Sequence, residues 1–136
     1  MTSGYSGTPL LKKLGITEQT RVQLIHAPRD YFHWLEADIS SQLIHAKEIP
    51  QLVHFFAASR SIFLKEMKAL EKICKTNTSV VIWISWYKKS SGIQTDLTED
   101  VIRAYALSHG LVDIKVCAVS DLWSGLKLVV RKVLRN

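Results

Sequence analysis

The chain has 136 residues, enough for one hydrophobic core and few for two. Apolar residues make up 47% and charged residues 22%, a globular composition that excludes a disordered chain. No run approaches the roughly 18 apolar residues of a membrane span, and the net charge of +6 permits anionic partners without requiring one.

The first seven residues are rich in Gly, Ser and Thr and read as a flexible tail, not a charged and then apolar secretory leader. Cys74 and Cys117 lie far apart and form no CxxC pair. Buried thiols in a reducing compartment fit this better than a disulfide framework, so a cytoplasmic location is expected. Residues 1–136 are expected to form a single domain.

Thr8 is expected to cap a short helix with Pro9 in its first turn and Gly15 closing it. "RVQLIHAP" (Arg21–Pro28) reads as a strand stopped by proline. "RDYFHWLEA" reads as a short helix, "SQLIHA" (Ser41–Ala46) as a weak strand and "QLVHFFA" (Gln51–Ala57) as a better one. In "SRSIFLKEMKALEKICK", Phe63, Met67, Leu70 and Cys74 recur at helical spacing, and the lysines fall largely off that stripe. "VVIWISW" (Val80–Trp86) is apolar nearly throughout, as in a strand covered on both faces; Trp83 and Trp86 then point to opposite sides.

After the turn-rich "SSGIQTD", Thr98 is expected to cap a helix with Glu99 and Asp100 in its first turn and Gly110 at its end. "LVDIKVCAV" and "LKLVVRKV" flank "SDLWSG" and read as an antiparallel hairpin at the sheet edge. The order α-β-α-β-β-α-β-α-β-β predicts an α/β fold: a three-layer sandwich, with a mostly parallel sheet of about six strands and a C-terminal antiparallel hairpin.

Few stretches look like chemistry. Gly4 and Gly7 give GxxG with no strand before them, so neither a dinucleotide fingerprint nor a P-loop is present. The turn after the first strand, "HAPRD" (His26–Asp30), has no glycine through which a backbone could approach a nucleotide. The five histidines show no metal-ligand spacing, and Cys117 has no identifiable partner base. No catalytic residue, metal or cofactor is assigned.

The most ligand-like constellation is "WYKKSSGIQTDLTED". Lys88, Lys89 and Ser90 leave the carboxyl end of a buried strand and lead to the Thr98 cap, a set suited to phosphate or carboxylate. Trp123 is expected nearby, in the "SDLWSG" turn, either packed down on the sheet or exposed as a stacking platform. The bland alternative is a solvated lysine pair. An anionic small molecule or a protein is the expected partner, and a membrane is not. Nucleic acid through Lys127, Arg131, Lys132 and Arg135 is a third reading.

"SGYSGTPLLKKLGI", a strand ending in "AP", "WISW" followed by "KK", "TDLTEDVIR" and "GLVDIKVCAVSDLWSGLKLVVRK" together resemble an uncharacterised bacterial family, a domain of unknown function. The resemblance covers nearly the whole chain and is weakest at Glu36–Glu48. The family pattern has proline at Tyr87 and aspartate at Gln51 and Ser120. It implies a Rossmann-like fold and no activity. The terminal hairpin is similar to that of S-adenosylmethionine-dependent methyltransferases, a likeness of topology alone. The glycine loop that grips the cofactor there is missing here. The expectation is therefore a small non-enzymatic binding module, with a diverged methyltransferase-like enzyme as the alternative.

Overall fold

The structure is a computed structural model that describes residues 7–135. The expected flexible tail, apart from Gly7, lies outside the described residues. The elements are α1 (Leu10–Leu14), β1 (Val22–Ile25), α2 (Tyr31–Leu35), β2 (Leu52–Phe56), α3 (Arg60–Thr76), β3 (Val81–Tyr87), α4 (Glu99–Ser108), β4 (Leu111–Ala118) and β5 (Trp123–Val130). Short 3-10 turns lie at Ser40–Gln42, Lys89–Ser91 and Lys132–Leu134.

One sheet carries the fold, in the order β1-β2-β3-β5-β4. β1, β2 and β3 run parallel, while β5 is antiparallel to both β3 and β4. The α/β Rossmann-like class stands, with two corrections. The sheet has five strands, not about six, and it is mixed, not mostly parallel. The antiparallel strand is interior, because β5 folds back between β3 and β4 and leaves β4 at the edge.

The missing strand is Ser41–Ala46, which makes a single parallel bridge from Leu43 to Val22. Beyond one backbone bond, from the Ile44 amide to the Val22 carbonyl at 2.9 Å, its backbone is held by side chains. The Arg21 guanidinium donates to the carbonyls of Ser41 at 2.9 Å and Leu43 at 3.0 Å, and pairs with Glu48 at 2.7 and 2.8 Å. A carbonyl already satisfied this way gains nothing by joining a sheet. That pairing also holds the Glu48 carboxyl down to about 2.

Two apolar layers sandwich the sheet. Val53, Phe55, Ile82, Ile84 and Trp86 face Phe63, Met67 and Leu70 of α3 and Ile102 and Ala106 of α4. Leu52, Phe56, Trp83 and Trp123 face Leu10 and Leu14 of α1 and Tyr31 and Leu35 of α2. Trp83 and Trp86 thus sit in opposite layers. Trp83 also anchors α1, its Nε1 donating to the Leu14 carbonyl at 3.0 Å.

The long helices start where their hydroxyl caps stand. Ser59 accepts from the Ile62 amide and Thr98 from the Val101 amide, each at 3.3 Å. At α1 the cap position falls on Pro9 and not Thr8; Gly15 ends that helix at φ 82°, a left-handed conformation that suits glycine. β5 begins at Trp123, so this residue belongs to a strand and not to the preceding turn.

Candidate functional site

The parallel strands β1, β2 and β3 end on one side of the sheet, where open α/β sheets hold their ligands. Two clefts lie there. The larger, about 1200 Å³, runs between the ends of β2 and β3 and the start of α4. The smaller, about 550 Å³, lies between the β1 turn and the start of β5. Ala58 and Tyr87 line both, so the two adjoin.

Lys88, Lys89 and Thr98 line the larger cleft together. Ser90 sits exposed in the 3-10 turn and is not among its walls. The Thr98 hydroxyl is engaged in capping α4. Asp96, Glu99 and Asp100 line the same cleft and offset the two lysines. Asp96 accepts from the Arg60 amide at 2.8 Å, so its carboxylate already occupies the positive end of α3. Thr95 ties the loop down by donating to the Ala58 carbonyl at 2.9 Å.

Trp123 lines the smaller cleft. It is buried, stacks on Tyr87 with ring centroids 4.1 Å apart, and meets Phe56 edge-on at 5.1 Å. Trp34 and Phe56 complete an aromatic wall, and His26 and Asp30 stand at the rim. The β1 turn that closes this cleft contains no glycine; His26 itself takes the left-handed turn at φ 56°. Its Nε2 lies 3.3 Å from Glu66 of α3.

Below the clefts lies a polar chain that strand patterns did not announce. His54 of β2 is fully buried, with Nδ1 at 2.7 Å from the Tyr31 hydroxyl and Nε2 at 2.7 Å from the Ser85 hydroxyl. Burial lowers its imidazole pKa to about 3, so the ring is neutral, and pushes the Tyr31 hydroxyl up. The one signal in the sequence was a histidine in the middle of the apolar run "QLVHFFA". Burial also raises the Cys117 thiol against the opposing pull of Lys13 and Lys115, which leaves it a poor nucleophile.

Among the described residues no cluster of three or more His, Cys, Asp or Glu could hold a metal ion, and no helix is long and apolar enough to cross a membrane.

No family model and no curated protein matches the chain. Solved structures do share its fold. A candidate tRNA (m1A22) methyltransferase of Streptococcus pneumoniae superposes with a TM-score of 0.59 at 6% identity, over 91% of this chain and 70% of that one. The same protein in complex with S-adenosyl-L-methionine superposes at 0.52 and 5% identity, over 88% and 72%. A candidate type 11 methyltransferase of Sulfolobus solfataricus gives 0.55 at 16% identity, over 93% and 92%. At these identities the likeness is one of fold. It corrects the expectation of a non-enzymatic module: the architecture is that of methyltransferase-like Rossmann folds, which favours the alternative reading.

Proposed function

We propose that the chain is a diverged S-adenosylmethionine-dependent methyltransferase-like enzyme. The observation that carries this reading is the aromatic cleft of His26, Asp30, Trp34, Phe56, Tyr87 and Trp123 at the carboxyl ends of the parallel strands. Its volume of about 550 Å³ falls in the range of small-molecule sites. A cofactor bearing a sulfonium and a purine suits aromatic faces, which attract cations and stack on rings. When bound, such a cofactor would supply an activated methyl group on sulfur for transfer to a nucleophile of the acceptor, which gives up its proton and leaves the thioether as the product.

The chain's own residues have definable tasks. Trp34, Tyr87 and Trp123 wall the cleft and exclude water, and Asp30 offers a carboxylate to a hydroxyl or ammonium group. With no glycine in the β1 turn, recognition rests on side chains and not on backbone amides. The adjoining larger cleft, with Lys88 and Lys89, is the place for the acceptor. Replacing Trp34, which is only half-buried, tests the assignment. Trp34→Ala is expected to weaken binding of the cofactor at least tenfold while leaving far-UV circular dichroism unchanged. Undiminished binding in that variant removes the cleft from the account.

A further inference from the structure

Helix α3 has two faces of opposite character. Phe63, Met67, Leu70 and Cys74 are buried against the sheet. The outer face carries Lys65, Lys68, Lys72 and Lys75, all exposed, at spacings that align them on one stripe. At 1.5 Å per residue, that stripe is about 15 Å long.

None of these four ammonium groups makes an ion pair or side-chain hydrogen bond among the described residues. The carboxylates of α3 are drawn off to its flanks. Glu66 meets His26 at 3.3 Å, and Glu71 accepts from the Tyr105 hydroxyl at 2.8 Å. Like charges three and four residues apart destabilise a helix. The helix dipole favours only Lys75, in the last turn.

We propose that this stripe binds the phosphate backbone of a nucleic acid. A linear row of unpaired cations complements a linear polyanion. A bilayer surface is a poorer match, because adsorption needs an apolar face to insert, and the apolar face of α3 is spent on the core. The surface differs from the one expected at Lys127, Arg131, Lys132 and Arg135, of which Lys127 pairs with Trp83 on β3 and faces the α1 side of the sheet.

The test is fluorescence anisotropy with a 20-nucleotide single-stranded RNA and a 20-base-pair DNA duplex, between 50 and 200 mM salt. Four phosphate contacts give a slope of log affinity against log salt of about −2.8 for the single strand and about −3.6 for the duplex. Over that salt range the loss is about 50-fold and about 150-fold. The quadruple variant Lys65→Gln, Lys68→Gln, Lys72→Gln, Lys75→Gln is expected to lose that slope and to bind at least tenfold more weakly at 50 mM salt. Lys12→Gln with Lys13→Gln, on α1, is expected to bind as the parent does. Absence of binding to both probes at 50 mM salt overturns the proposal, as does a quadruple variant that binds like the parent. Tighter binding to phosphatidylserine vesicles or to polyglutamate than to either nucleic acid overturns it too. The assay involves no methyl transfer, so its outcome is separate from that of the enzymatic reading.

Discussion

Replacing His54 with leucine tests whether the buried Tyr31–His54–Ser85 chain is a source of stability and of its pH dependence. The folded imidazole is neutral, with its pKa lowered to about 3 by burial, whereas the unfolded one takes up a proton near pH 6.5. Between those values the unfolded state binds one more proton than the folded state. The contribution is therefore complete above about pH 6.5 and is lost at about 1.4 kcal/mol per pH unit as the pH falls towards about 3. From pH 7.5 to 5.0 the parent loses roughly 2 kcal/mol from this group alone. His54→Leu removes that dependence and strands two buried hydroxyls, at about 1–3 kcal/mol each. Urea unfolding followed by tryptophan fluorescence reads both effects. The parent should lead the variant most at pH 7.5, and the gap should narrow by about 2 kcal/mol at pH 5.0. Ser85→Ala, a milder change, should destabilise yet retain the pH slope. A gap between parent and His54→Leu that stays constant from pH 7.5 to 5.0 refutes the reasoning.

Three further outcomes follow from the geometry. A methyl group at Gly125 would lie 3.2 Å from both Trp83 and Val119, so Gly125→Ala should cost about 1–3 kcal/mol, or roughly 4–10 °C in melting temperature; an unchanged midpoint would mean that β5 yields freely there. Arg103 reaches Asp113 of the edge strand β4 at 3.0 Å and also pairs with Glu99 and Asp100, so Arg103→Ala should lower the melting temperature at low salt. That deficit should shrink in 1 M salt, since these pairs face solvent. Lys88→Ala with Lys89→Ala should abolish any phosphate binding at the larger cleft, and retained binding would clear the pair of that role.

What was legible in the sequence followed from local periodicity. The stripe of Phe63, Met67, Leu70 and Cys74 named the buried face of α3, and by the same spacing its lysine face. The apolar run at Val80–Trp86 named a covered strand, and the odd spacing of Trp83 and Trp86 their opposite faces. What was not legible depends on partners distant in the chain. Ser41–Ala46 has a strand-like pattern, but its carbonyls go to Arg21, about twenty residues earlier. "WSG" has turn composition, yet Gly125 lies in a strand because Trp83 and Val119 fill the space where a side chain would stand. The three members of the buried polar chain come from three separate elements. At the candidate site, "KK" and "TDLTED" were both visible. That the carboxylates of the second line one cleft with the lysines of the first was not. The insertion of β5 between β3 and β4 is a non-local pairing that no single segment encodes.

The most direct test of the enzymatic reading is isothermal titration of the purified chain with S-adenosylmethionine and with S-adenosylhomocysteine, paired with a thermal shift. The account predicts saturable heat for both. Ligand at one hundred times its dissociation constant adds about 2.7 kcal/mol, or roughly 9 °C in melting temperature for a chain of this length. No heat and no shift at millimolar concentrations of either compound would contradict it.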